Sequence, residues 1–335
     1  MTVRVSSVIG LGIVLGLLAG INTRADVPSA TIASSASNPV TVVGSDTAAP
    51  GGFGSERVLC PAGTVAVGGG IDLENVLTMK VTASAPTFAQ NNSRLIFQPN
   101  GTNPAPIGWQ ATARNDDTVV KSLKVAVICA PLSGVSTVVG SDTVAPGSFG
   151  SERVLCPAGR VAVGGGIDLD NVLTMKVTSS GPTFAQNNSR LIFQPNGTNP
   201  APNGWQATAR NDDTTTKSFK VAVICAPLRG ISTVVGSDTA TAGSFGSERV
   251  LCPAGMIAMG GGIDLDNVLT MKVTASAPTF AQNNSRLIFQ PNGTNPAPIG
   301  WQGSARNDDA TTKSLKVAVI CRQAVHRVFL PIVVR

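Results

Sequence analysis

Six cysteines carry the clearest chemical signal in this chain. They fall in pairs 69 residues apart: Cys60 with Cys129, Cys156 with Cys225, Cys252 with Cys321. Thiols at such positions could ligate a metal, run redox exchange or close as cystines. A zinc or redox site needs cysteines and histidines at short spacing. The chain has no C-x-x-C, and its one histidine, His326, lies outside the repeated part. An even cysteine count at a regular interval reads instead as a cystine framework made in an oxidising compartment. Six cysteines allow fifteen connectivities, and repetition selects the one that joins each pair within its own repeat. A bridge closing about 70 residues stabilises a unit by about 4 kcal/mol in the chain-entropy model.

Carboxylates are the next candidates. Asp46, Glu56, Asp72, Glu74, Asp116 and Asp117 recur in equivalent form in each repeat. A pair of them could serve glycoside hydrolysis, which needs an acid and a second carboxylate flanking the bond. Two groups could instead donate oxygens to Ca²⁺. One is Asp72 and Glu74, with Asp168, Asp170, Asp264 and Asp266. The other is Asn115-Asp116-Asp117 and its copies. EF-hand spacing is absent, and Asp and Asn also favour tight turns, so the expectation is turns, no metal and no cofactor. With one histidine for three copies, the expectation is also no catalytic site. A third candidate is the amide-rich stretch before Trp109: Gln98 and Asn100, with Gln194, Asn196, Gln290 and Asn292, could hold a sugar beside an aromatic face. The alanines that alternate with Trp109 place it in a core instead. Gly68-Gly69-Gly70 lacks the helix, Lys and Ser/Thr of a phosphate loop, so close packing or a bulge is expected there.

These residues sit in three copies of one block. SERVLCPAG begins at Ser55, Ser151 and Ser247, so the period is 96 residues. Trp109, Trp205 and Trp301 are the three tryptophans. That period is too long for a solenoid unit and suits a small domain. The boundaries expected are 40–134, 135–230 and 231–325, joined by short linkers into a stubby rod. No stretch after the signal shows sustained helical periodicity. Strand signals in the first copy fall near 40–47, 55–60, 64–72, 77–84, 94–98, 108–114 and 121–129. Leu123, Val125, Val127 and Cys129 share one face of the last. Seven short alternating strands predict an all-β fold, each copy a β-sandwich of jelly-roll or immunoglobulin-like type with one disulfide; a small barrel is the alternative.

The first 25 residues read as a secretory signal: Arg4, an apolar run from Val5 to Ile21, then Thr23-Arg24-Ala25. A Ser/Ala-rich flexible leader, 26–39, and a tail, 326–335, complete the chain. Charged residues make up 13% against 42% hydrophobic ones, which argues against disorder and long solvated helices. Loss of Arg4 and Arg24 lowers the net charge from +6 to +4, and no basic cluster marks a nucleic-acid site. No transmembrane span is expected once the signal is cleaved.

CPAGTVAVGGG, then Gly108-Trp109, then KVAVICA at the end of the copy, resembles a family of bacterial secreted repeats that are mostly uncharacterised parts of surface proteins. The resemblance spans 40–321 in three copies and implies a cystine-bridged β domain with no assigned activity. At the last copy Cys321 is followed by Arg322 rather than Ala. The tail HRVFLPIVVR is similar to the R-x-[YF]-L-P ending of secreted proteins of filamentous green non-sulfur bacteria; the alternative is an eighth strand. Together these imply an extracellular structural or adhesive element of a bacterial surface or matrix. Its partner would be an unidentified extracellular molecule, a glycan or further copies of itself, with three equal surfaces giving avidity. A multivalent carbohydrate-binding protein is the alternative, and a carboxylate-based glycoside hydrolase the third reading.

Overall fold

Apolar residues alternate with Thr, Ser and Lys along each segment, and Gly, Pro and Asp punctuate the gaps, so every regular element among the described residues is a strand. The computed structural model describes residues 38–75, 77–89, 98–184, 194–266, 269–281 and 290–325. The signal, nearly all of the leader, His326 and the rest of the tail, and the predicted strand at 94–98 up to residue 97 lie outside them.

The first repeat holds β1 (Val40–Ala48), β2 (Phe53–Leu59), β3 (Val65–Leu73), β4 (Met79–Thr87), β5 (Gly101–Asn103), β6 (Gly108–Asn115) and β7 (Lys121–Ala130). The second holds β8 (Ser136–Val144), β9 (Phe149–Leu155), β10 (Val161–Leu169), β11 (Met175–Thr183), β12 (Gly197–Asn199), β13 (Gly204–Asn211) and β14 (Lys217–Ala226). The third holds β15 (Ile231–Ala240), β16 (Phe245–Leu251), β17 (Met256–Leu265), β18 (Met271–Thr279), β19 (Gly293–Asn295), β20 (Gly300–Asn307) and β21 (Lys313–Gln323).

Within the first repeat, β1-β7-β3 and β2-β6-β4 form two antiparallel three-stranded layers. Between them lies Trp109, 1% exposed, which confirms its place in the core. Its ring covers Gly69, where any side chain would overlap the indole. The all-β class and the two-layered repeat expected from the sequence are therefore present.

The rod of three separate blocks is not. Each layer continues into the next repeat, giving three seven-stranded sheets ordered β16-β20-β18-β3-β7-β1-β19, β2-β6-β4-β10-β14-β8-β5 and β12-β15-β21-β17-β11-β13-β9. The first repeat meets the second through Ser84 opposite Ile167. The second meets the third through Ser180 opposite Ile263. The third returns to the first through Ser276 opposite Ile71. The short strands β5, β12 and β19 cross the same boundaries to pair with β8, β15 and β1. The Val325 amide donates to Asn38 Oδ1 at 2.9 Å, so the two ends of the described chain meet. The described residues fall in one compact unit. The physical reason is the edge problem: in a row, the first and last repeats would each leave a long strand unpaired, and closure pairs them.

Candidate functional site

The three cystines form as the repeat symmetry requires, Cys60–Cys129, Cys156–Cys225 and Cys252–Cys321, each with Cα atoms 5.6 Å apart. Cys60 follows β2 and Cys129 lies in β7, so each bridge ties one layer of its repeat to the other. Cys129 is wholly buried and Cys60 half-buried, a small departure from two inward positions. No free thiol remains.

The triple glycine has three separate jobs. Gly69 makes room for Trp109. Gly70 lies against the Ser276-Ala277 backbone of the third repeat. Gly68 faces the equivalent glycines: a Cβ on it would fall 2.9 Å from Gly260 Cα, one on Gly164 3.0 Å from Gly68 Cα, and one on Gly260 3.1 Å from Gly164 Cα. The three strands thus meet, glycine to glycine, on a common pseudo-threefold axis. A bulge between Ala66 and Gly68 accompanies the approach.

The first set of acidic residues considered for Ca²⁺ is engaged with neighbouring strands and turns. Asp72 lies opposite Lys124 in the register of β3 with β7, and Asp168 and Asp264 lie opposite Lys220 and Lys316. Ser179 Oγ donates to Asp264 Oδ1 at 3.2 Å. Glu74 accepts from the Ser122 amide and hydroxyl, 2.6 and 2.8 Å. The amides of Asp170 and Asp266 donate to the carbonyls of Ser218 and Ser314, each at 3.0 Å. Among the described residues no three His, Cys, Asp or Glu side chains gather closely enough to hold a metal.

The second acidic group builds turns. Asn115, fully buried, donates to the carbonyls of Ala48 and Val119 and accepts from the Asp117 amide, pinning the turn after β6. Asp116 is paired with Lys80 at 3.1 Å and Arg114 at 2.7 Å. Burial would raise its carboxyl, but those two cations outweigh it and hold it below the usual range. Arg114 also reaches across to the Leu173 carbonyl, 2.9 Å, in the next repeat. Arg210 repeats this toward Leu269, and Arg306 toward Leu77.

The amide-rich residues lie at the same joints. Asn100, Asn196 and Asn292 each donate from Nδ2 to a serine of the following repeat, Ser141, Ser237 and Ser45, at 2.8 Å. The carbonyls of Gln98, Gln194 and Gln290 accept from Lys220, Lys316 and Lys124 at 2.9, 3.0 and 3.1 Å. Gln98 and Gln194 are themselves buried. Sequence reasoning found these residues but missed their use, since nothing in one repeat announces a partner some forty or more residues away.

One carboxylate pair does come together in every copy. Glu56 on β2 lies near Asp46 on β1, under Gly44, where a side chain would strike the Glu56 carboxyl. Burial first, and the Asp46 charge second, push the Glu56 carboxyl above its ordinary value; Glu152 and Glu248 behave alike. Asp46 Oδ2 also accepts the Ser55 amide at 2.9 Å, which occupies a backbone donor of an outer strand. These strands, β2, β9 and β16, end the three sheets and present Phe53, Phe149 and Phe245 and Leu59, Leu155 and Leu251, each about half exposed.

A cavity of about 20 Å³ lies on the pseudo-threefold axis. Ile71, Ile167 and Ile263 form part of its apolar wall, and Ser84, Ser180 and Ser276 are also among the residues that line it. Each serine Oγ accepts the indole N–H of its own repeat, Trp109, Trp205 or Trp301, at 2.9 Å.

The class these features define is a ring of three cystine-bridged β-sandwiches made from one tandem-repeat chain. No protein-family model matches the chain, and no curated protein matches it. A solved structure described as "The Triple Jelly Roll Fold and Turret Assembly in an Archaeal Virus" aligns over 86% of this chain and 92% of that one, at 10% identity and a TM-score of 0.15. At that score the alignment carries no inference about fold or role. No helix among the described residues is long and apolar enough to cross a membrane.

Proposed function

We propose that the protein is a non-enzymatic structural or adhesive element working outside the cytoplasm, on a bacterial surface or in its matrix. The observation that carries this reading is the threefold display of one outer strand. β2, β9 and β16 hold the same exposed Phe and Leu at three places on one ring. A ring fixes their spacing, so three weak contacts act together and exceed one contact by about 10²–10⁴ in affinity. Three cystines support an oxidising compartment. Of the residues that suggested a glycan site, the asparagine side chains and the glutamine main-chain carbonyls are engaged at the joints between repeats, so no observation favours that alternative.

Binding of purified protein to isolated envelopes of the producing cell tests the reading. Phe53→Asp alone is expected to weaken binding severalfold. Phe53→Asp with Phe149→Asp and Phe245→Asp is expected to remove it while the melting temperature changes little, because these rings are exposed. Equal binding by the triple variant, or recovery of the native protein from the cytoplasm with free thiols, would refute it.

A further inference from the structure

We infer that the axial cavity is a binding site for one small acceptor-only anion, a halide such as chloride. Three serines line it, Ser84, Ser180 and Ser276, one from each repeat. Each uses an oxygen lone pair on an indole N–H and has no other hydrogen-bond partner among the described residues. Each therefore has one O–H hydrogen left to give. The indole bond polarises that O–H and makes it a better donor. No carboxylate lines the cavity, and its walls are glycine, isoleucine, valine and tryptophan. The polar side chains of the lining therefore offer donors, on partly buried serines.

The volume, about 20 Å³, admits a single particle of water or halide size. Water offers two lone pairs to three hydroxyls and adds two hydrogens to a space already rich in them. A halide accepts from all three at once and brings no hydrogen. It also suits a threefold arrangement, because its charge has no preferred direction. The net charge of the chain is positive with or without Arg4 and Arg24, which favours an anion over a cation.

Crystals of the intact protein grown in sodium bromide, with data collected above the bromine edge, test the site. The expected result is one anomalous peak on the pseudo-threefold axis within hydrogen-bonding reach of the three Oγ atoms. A peak too weak for bromine there, as water or an empty cavity would give, overturns the inference, as does bromide bound only elsewhere. Ser84→Ala with Ser180→Ala and Ser276→Ala should erase the peak. If that variant does not fold, Ser180→Ala alone should lower the bromide occupancy severalfold, and unchanged occupancy counts against the site.

Discussion

Alanine at Gly68, Gly164 and Gly260 together abolishes the cooperative fold. Each new methyl group points at the next glycine of the axis, where the neighbouring Cα atoms are 2.9–3.1 Å away. Backbone carbonyls of Met259, Val67 and Val163 are closer still. Both sides of the contact are main chain, so no side chain can swing aside. Overpacking of this kind costs about 1–3 kcal/mol per site. Three sites approach the whole net stability of a domain, which is about 5–15 kcal/mol. The costs are coupled, because each methyl meets a position that has also gained one. Circular dichroism on heating measures the effect: Gly68→Ala alone lowers the melting temperature, and the triple variant shows no native transition.

Removal of one cystine has the second largest effect. Cys60→Ala with Cys129→Ala is expected to destabilise the ring by about 2–5 kcal/mol. Alanine avoids leaving a serine hydroxyl at the fully buried Cys129 position. The shape of the transition matters as much as its position. The first repeat shares a sheet with each of the other two, so the loss is felt by all three. Calorimetry should show one transition moved to lower temperature. Separate domains would instead give an early transition for one third of the enthalpy, with two thirds unmoved.

The sequence made the strands and cystines legible because both depend on local or periodic signals. Alternation in Leu123, Val125, Val127 and Cys129 shows which face is buried, and a 69-residue spacing kept in three copies shows which cysteines pair. Trp109 was readable as core from its alanine neighbours. Close packing at Gly68-Gly69-Gly70 was readable too, but not its partner. The glycine at 68 meets positions 164 and 260, and identical repeats give the same local signal whether they stand in a row or close on themselves. The same blindness hid the role of Asn100 and Arg114, which reach Ser141 and Leu173 in the next copy. β5 is not legible in the sequence for a related reason. Three residues, Gly101–Asn103, have too little pattern to predict a strand, and they form one only because β8 of the next repeat offers its edge.

Closure of the ring is tested most directly between the first repeat and the third. Val42 and Thr294 are opposite each other where β19 pairs with β1. Val42→Cys with Thr294→Cys places two thiols within cystine reach if the ring is closed. Peptide mapping of the unreduced protein by mass spectrometry is expected to recover a 42–294 linkage within single chains, beside the three native bridges. Free thiols at both positions in folded protein, or a 42–294 linkage found only between chains, would contradict a closed ring.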